Sequence, residues 1–179
     1  AIPYFVIAGN IIMKARITDK LVNFADAAVG WLPGGLGHVN VLTSMIFGGI
    51  QGSGCADAAA IGGMLIPAME KQGYDKDYSV AVTAGSSMLS PIIPPSIAMI
   101  LYSYYTEVPV GRLFMGALVP GILLGLLQMG VVYLEYRLRK YDIPRTRFSL
   151  RNLLTTAWHS LGALMMPCLL YTSDAADDM

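Results

Sequence analysis

The sequence is poor in charge and in cysteine. Charged residues make up 13% of its 179 positions, hydrophobic residues make up 55%, and two residues are cysteine. So apolar a composition excludes a disordered, charge-rich chain, and two cysteines exclude a disulfide scaffold. The formal net charge is zero, and basic residues occur only in short segments between apolar stretches. We therefore expect no binding to nucleic acid.

Charge is missing altogether from four long stretches. No Asp, Glu, Lys or Arg occurs in residues 27–56, 78–106, 113–134 and 152–173. About 20 consecutive apolar residues suffice to cross the hydrocarbon core of a bilayer. The sequence therefore predicts an all-α, polytopic protein embedded in a lipid bilayer.

The chain divides into one partial membrane domain, residues 1–167, and a tail, residues 168–179. The tail resembles a translated sequencing adapter, and the apolar start at Ala1 predicts a fragment truncated at both ends. Six segments are predicted within the domain: the end of a span at 2–13, an amphipathic helix at 18–31, a hairpin at 39–69, a broken span at 79–105, a complete span at 113–134 and the start of a next span at 152–167.

The amphipathic segment carries its apolar residues on one helical face. That face consists of Leu21, Phe24, Ala25, Ala28 and Trp31. Such a stripe predicts a helix lying in the membrane interface, with Trp31 at the depth of the lipid headgroups. A helix that covers an ordinary soluble core is the alternative.

The hairpin segment has two apolar pieces of roughly a dozen residues, each too short to cross alone. They form either one broken span or a re-entrant hairpin whose two ends face the same side. Cytoplasmic loops collect Lys and Arg. The re-entrant topology puts eleven of the twelve basic residues in the cytoplasm and only Arg112 outside, so we predict a re-entrant hairpin.

A glycine-rich tip joins the two apolar pieces. Non-helical backbone at membrane depth is tolerated where it lines a cavity, and carbonyls at a helix end suit a small cation. Asp57 has two interpretations, an N-cap for the amides of Ala59 and Ala60 or a ligand. The predicted ion- or substrate-binding residues of the tip are Gly52, Ser53, Gly54 and Asp57.

Three prolines interrupt the next uncharged stretch. Because proline lacks an amide proton, Pro91, Pro94 and Pro95 should leave the carbonyls of Ser87, Ser90 and Pro91 without helical partners. A simple proline kink with re-satisfied carbonyls is the alternative. Four hydroxyl groups share one helical face beside these carbonyls, those of Thr83, Ser86, Ser87 and Ser90. The predicted binding residues of this break are Thr83, Ser86, Ser87, Ser90, Pro91, Pro94, Pro95 and Ser96.

Two further patterns are less specific. Gly121 and Gly125 form a GxxxG pair, which favours close helix packing. His38 and His159 have no partner at metal-ligand spacing.

Several of these motifs together carry a family resemblance. They are AIPYFVIAGN at 1–10, LPGGLGHVNV at 32–41, ADAAA at 56–60 and PIIPPS at 91–96. The chain from residue 1 to about residue 141 resembles the large membrane subunit of tripartite ATP-independent periplasmic (TRAP) transporters. The family usually has Ser-Gly-Ser-Ala where this chain has Gln51 to Gly54, and glycine is common where Ser90 stands. Both changes keep the backbone oxygens.

The resemblance implies one inverted repeat of an elevator-type importer of organic acids in the bacterial inner membrane. Segment 18–31 would be the arm helix of the scaffold, while the hairpin and the broken span would move. Sodium would be the coupling ion, without any other cofactor, and a small membrane subunit and a periplasmic substrate-binding protein would be partners. The implied sodium ligands are backbone oxygens near Gly52, Ser53, Ser87, Ser90 and Pro91.

Two other functions remain open from the residues alone. An intramembrane serine hydrolase would use Ser53 as nucleophile and need a base such as His38 or His159. A passive ion channel would build its filter from carbonyl rings. We expect a transporter and not an enzyme, and dependence of uptake on a sodium gradient distinguishes it from both.

Overall fold

The computed structural model describes residues 17–139 and residue 156. Over residues 17–139 all regular secondary structure is helical, without a strand, which confirms the all-α class. The helices are α1 (Ile17–Val29), α2 (Gly35–Gln51), α3 (Gly54–Lys71), α4 (Lys76–Ser87), α5 (Ile97–Thr106) and α6 (Val110–Arg139). Segments 2–13 and 152–167, apart from residue 156, and the tail 168–179 lie outside the described residues.

Helices α2 and α3 form an antiparallel hairpin. Asn40 near the start of α2 lies beside Met69 near the end of α3, and only Gly52 and Ser53 connect the two helices. Gly52 has a φ of 62°, in the left-handed region that favours glycine, and its amide donates to the Gly48 carbonyl. The turn is therefore shorter than the six-residue tip predicted from the sequence.

Helix α1 packs on this hairpin. Leu21 and Ala25, both on the predicted apolar face, are fully buried in one cluster with Val39 and Phe47 of α2 and Leu65 of α3. Full burial of a leucine side chain is worth about 1.5–3 kcal/mol. Protein side chains thus cover this part of the stripe.

Helix α6 is the only helix of the described residues that is long and apolar enough to cross a membrane. Its 30 residues span about 45 Å. Gly121 and Gly125 are buried: a Cβ atom on Gly121 would lie 3.1 Å from Ile93 Cγ1, and one on Gly125 would collide with Met45. The predicted close helix packing is confirmed at Gly125, which packs on α2, whereas Gly121 packs on Ile93, which lies outside the helices.

The open end of the hairpin lies beside the C-terminal end of α6. A Cβ atom on Gly34, which precedes α2, would be 3.3 Å from Tyr136 Cβ. Asp75, between α3 and α4, accepts from Arg139 at 3.3 Å. An exposed ion pair adds little to the stability of the protein, but this one shows that Asp75 lies next to the C-terminal end of α6. Both ends of the hairpin, the start of α4 and the end of α6 therefore lie on one side.

Candidate functional site

The closed end of the hairpin contacts the non-helical segment between α4 and α5. Ser87 ends α4 and Ile97 begins α5, so residues 88–96 separate two short helices where one broken span was predicted. A Cβ atom on Gly48 would lie 2.6 Å from Ser90 Cα, and one on Gly54 would lie 2.9 Å from the Ser87 carbonyl oxygen. The tip and the break, predicted separately, are thus brought together. We call this contact the junction.

Glycine is required on the hairpin side of the junction. Any side chain on Gly52 would collide with the Pro95 carbonyl oxygen. Because real Cβ atoms do not approach backbone so closely, each glycine permits a backbone-to-backbone contact that another residue would open.

The position of the junction along α6 gives its depth in a bilayer that α6 crosses. Ile93, within the break, packs on Gly121, which follows Arg112 by nine residues and precedes Arg139 by eighteen. At 1.5 Å per residue these separations are about 14 Å and 27 Å. A hydrocarbon core is about 30 Å thick, so the junction lies well inside it when α6 crosses a bilayer.

Four helix ends meet at the junction. The C-terminal end of α2 lies against Pro95 and Ser96, just before α5, and the N-terminal end of α3 lies against Ser87, at the end of α4. Two partially negative C-terminal ends and two partially positive N-terminal ends therefore converge. The arrangement suits a small cation beside an anionic group.

The carbonyls freed by the prolines differ from one another. The Ser87 carbonyl accepts a hydrogen bond of 3.3 Å from the Ser90 amide. The prediction that this carbonyl has no partner is therefore wrong. Among the described residues no backbone amide donates to the carbonyls of Ser90 and Pro91. These two oxygens belong to the break, and the carbonyls of Ser87 and Pro95 lie against the tip.

Asp57 does not cap a helix. Helix α3 begins at Gly54 with Ser53 at its N-cap position, so Asp57 lies inside the first turn and its amide donates to the Ser53 carbonyl. The N-cap interpretation, with Ala59 and Ala60 as donors, is therefore wrong. The Asp57 side chain is 0% exposed, and neither carboxylate oxygen has a hydrogen-bond partner in the described part of the chain. The hydroxyls of Ser44 and Ser90 lie near this carboxyl group.

The four predicted hydroxyls are all buried, but three of them already have partners. Thr83 donates to the Ser79 carbonyl at 2.8 Å, Ser86 to Asn40 at 3.0 Å and Ser87 to the Ala84 carbonyl at 2.9 Å. Ser90 is the exception, because its hydroxyl lacks a partner within the described region. Thr83 and Ser86 lie between α4 and α2, and Ser90 lies at the junction. The Ser96 hydroxyl is also buried and has no partner there.

Asn40 and Ser44 were not predicted as site residues from the sequence, because each is a single polar side chain within a helix. Both are fully buried, one helical turn apart on α2. The Asn40 amide group bonds to Thr83 and Ser86, and Ser44 donates to Ser86 at 3.1 Å. A search for charged residues and chain breaks overlooks them because they are uncharged and lie within a helix. Their i, i+4 spacing in an otherwise apolar helix was the available signal.

A serine hydrolase is not supported by this geometry. His38 lies near the start of α2, fourteen residues before Gly52, which is about 21 Å along the helix and far from Ser53. Its Nε2 atom is 3.0 Å from the Pro33 carbonyl oxygen. His159 lies outside the described residues. Within the described part, no three His, Cys, Asp or Glu side chains are grouped to hold a metal ion.

Comparison with known proteins identifies the family. Residues 1–173 match the model of the tripartite ATP-independent periplasmic transporter, DctM component. The chain belongs to this family. Its match agrees with the motifs at the hairpin tip and the break, which the structure brings together.

Three of the curated relatives are named as transporter permeases. The chain is 36% identical over 171 residues to the sialic acid TRAP transporter permease protein SiaT of Haemophilus influenzae, covering 95% of this chain and 27% of the relative. It is 37% identical over 166 residues to the C4-dicarboxylate TRAP transporter large permease protein DctM of Pseudomonas aeruginosa, covering 93% and 39%. The isethionate TRAP transporter permease protein DctMQ of Oleidesulfovibrio alaskensis is 37% identical over 169 residues, covering 94% and 27%. The chain thus spans well under half the length of these relatives.

Proposed function

We propose that the complete protein containing this chain is a secondary active importer of organic acids, coupled to sodium. In this proposal the junction is one half of a binding site in the middle of the bilayer. The observation that carries the proposal is the meeting of four helix ends beside the middle of α6, a helix long and apolar enough to cross a membrane. Discontinuous helices meeting near the midplane are typical of secondary transporters.

Backbone oxygens would bind the sodium ion. The carbonyls of Ser87, Ser90 and Pro91 lie on the break side, and the backbone oxygens of Gly52 and Ser53 belong to the tip, which contacts the break. Hard oxygen ligands and the negative end of a helix dipole both favour a hard cation. The N-terminal ends of α3 and α5 offer amides for an acid group of the substrate.

A re-entrant topology would make this site accessible from one side. The two ends of the hairpin lie beside the C-terminal end of α6, which carries Arg137 and Arg139. With that side in the cytoplasm, eleven of the twelve basic residues are internal. We therefore place the protein in the bacterial inner membrane with the hairpin opening to the cytoplasm.

Elevator-type movement would carry the hairpin and the helices on either side of the break. Leu21 and Ala25 bury α1 on the hairpin, so a moving hairpin must take α1 along or break this cluster. Movement of α1 with the hairpin would differ from the scaffold role that the family resemblance implies for segment 18–31.

The substrate class rests on the names of the relatives. Sialic acid and C4-dicarboxylates carry carboxylates, and isethionate carries a sulfonate. We expect an organic acid here too, delivered by a periplasmic substrate-binding protein, with a small membrane subunit completing the transporter.

Reconstitution tests the proposal. The complete transporter is placed in liposomes with its binding protein, and uptake of candidate organic acids is measured with an inward sodium gradient or with choline in place of sodium. We expect saturable uptake only with sodium. Equal uptake in choline would contradict the proposal, and substrate flux that follows its own gradient without saturation would favour a channel.

A further inference from the structure

A narrow groove runs between α4 and α6, on the side of the molecule that carries the open end of the hairpin. It is a cavity of about 230 Å³ whose walls include Val41 of α2, Val82 and Gly85 of α4, and Val131 and Val132 of α6. Pockets for drug-sized molecules usually measure about 300–1,000 Å³. The groove is therefore too small for a bulky ligand, and its width and apolar walls suit a single hydrocarbon chain.

The groove opens on the outer surface of α6. Val131, in its wall, is 60% exposed and belongs to a row with Leu127, Leu134 and Leu138, all exposed on one helical face. Ala81, on the α4 side of the groove, is exposed as well. With α6 across a bilayer, the open side of the groove is therefore accessible to the acyl chains of lipids.

The two ends of the groove lie at different depths. Gln128, at one end, precedes Arg139 by eleven residues, and Glu135, at the other end, precedes it by four. At 1.5 Å per residue these separations are about 16 Å and 6 Å. One leaflet contributes about half of a hydrocarbon core of roughly 30 Å. The Gln128 amide nitrogen joins the two helices at the deep end by donating to the Gly85 carbonyl oxygen at 2.9 Å. The groove thus belongs to one leaflet, the one on the side of Arg139.

Charged groups of both signs surround the shallow end. The start of α4 and the end of α6 carry three acidic residues, Asp75, Asp77 and Glu135, and three basic residues, Lys76, Arg137 and Arg139. Such a balanced surface is complementary to a headgroup that carries both a positive and a negative charge. Glu135 accepts from Arg139 at 2.9 Å, so an acidic and a basic partner stand side by side at the groove.

We propose that this groove binds one acyl chain of a zwitterionic aminophospholipid, with the ammonium group of the lipid at Glu135 and its phosphate at Arg139. The ammonium donates hydrogen bonds to the carboxylate, and the guanidinium, with five N–H donors, donates to the phosphate. The inference goes beyond the proposed function and needs only that α6 crosses a bilayer. A bound chain fills the space between α4 and α6 and supports the end of α4, whose last residue, Ser87, lies at the junction.

Lipid retained by the complete, purified transporter provides the test. The variant is Ala81→Phe, which places a ring in the groove, and the matched control is Ala84→Phe, at an exposed position of α4 that does not line it. Each protein is washed in detergent, and the phospholipid that remains is identified and counted by mass spectrometry. We expect the wild type and Ala84→Phe to retain phosphatidylethanolamine and Ala81→Phe to lose most of it. Equal lipid retention by all three proteins overturns the proposal, because it shows lipid bound without a defined site.

The headgroup contact is tested with Glu135→Gln, which removes the acidic partner. Each protein is returned to vesicles of equal parts phosphatidylethanolamine and phosphatidylcholine, whose trimethylated nitrogen has no N–H donor, and is then washed again. We expect the wild type to retain phosphatidylethanolamine in several-fold preference and Glu135→Gln to lose this preference. Glu107→Gln, an exposed carboxylate before the opposite end of α6, is the control and should keep it. A wild type without any preference overturns the headgroup assignment.

A helix of the complete protein that covers the groove would give a different result. The washed wild type would then retain no phospholipid, and Ala81→Phe would unfold at a lower temperature than Ala84→Phe, which overturns the proposal. Should Ala81→Phe fail to fold, photochemical cross-linking to the wild type decides. Phosphatidylethanolamine with a photoreactive group on its acyl chain should label residues 78–85 and 128–135. Even labelling along the exposed face of α6, including Val119 and Leu123, overturns the proposal.

Discussion

The side-chain amide of Asn40 donates a hydrogen bond of 2.7 Å to Thr83 Oγ1, joining the first helix of the hairpin to α4. The same side chain accepts from Ser86 at 3.0 Å, and all three residues are buried. Ser44 extends this set of hydrogen bonds by donating to Ser86, and it lies near Asp57. A continuous set of polar contacts therefore runs from the open part of the hairpin to the junction and fixes how α2 lies on α4.

Loss of the Asn40 side chain should loosen this contact. We predict that Asn40→Ala destabilises the protein by about 1–2 kcal/mol, because Thr83 and Ser86 lose buried partners. Thermal unfolding in detergent measures the change. The matched control is Asn23→Ala, on the exposed side of α1, which should unfold at the wild-type temperature. Equal unfolding temperatures for the two variants would contradict this role of Asn40.

The re-entrant topology predicts which residues a membrane-impermeant thiol reagent reaches. In a Cys55→Ala background, Lys20→Cys before the hairpin and Gln72→Cys after it should both react only from the cytoplasmic side, and Arg112→Cys only from the periplasmic side. Labelling is measured in intact cells and in inverted vesicles. Asn40 and Ser79 are unsuitable positions because both are fully buried. Reaction of Lys20→Cys but not of Gln72→Cys in intact cells would mean that the segment crosses the membrane.

The sequence predicted the hairpin and the break because their signals are local. Short apolar pieces around glycines and three prolines in a charge-free stretch each restrict the backbone directly. The start of α3 was predicted too late in the chain because Asp57 was considered as its N-cap, whereas Ser53 occupies that position and Asp57 is enclosed. Burial of this kind depends on Ser44 and Ser90, which are distant in sequence. Local patterns therefore do not reveal it.

The prolines of the break offer a test of the backbone-oxygen site. Replacing both Pro94 and Pro95 with alanine restores two amide donors, so helix should extend into residues 88–96 and withdraw carbonyls from the junction. We predict a several-fold higher sodium requirement for uptake by the complete transporter. Pro109→Ala, an exposed proline just before α6, is the control and should leave the sodium requirement unchanged. Unchanged sodium activation in the double variant would mean that the prolines only shape the helix.

Gly52 gives the sharpest test of the junction, because two independent features require glycine there. Its φ of 62° disfavours any residue with a Cβ atom by about 1 kcal/mol, and that atom would collide with the Pro95 carbonyl oxygen. We predict that Gly52→Ala separates the tip from the break and strongly reduces sodium-driven uptake while α2 and α3 remain helical. The matched control is Gly63→Ala on the exposed side of α3, where an added Cβ atom meets nothing within 4 Å. This variant should be as stable as wild type or slightly more stable, since alanine favours helix. Uptake and the unfolding temperature are measured for both variants. Wild-type sodium-driven uptake by Gly52→Ala would show that transport does not need the close contact between the hairpin tip and the break.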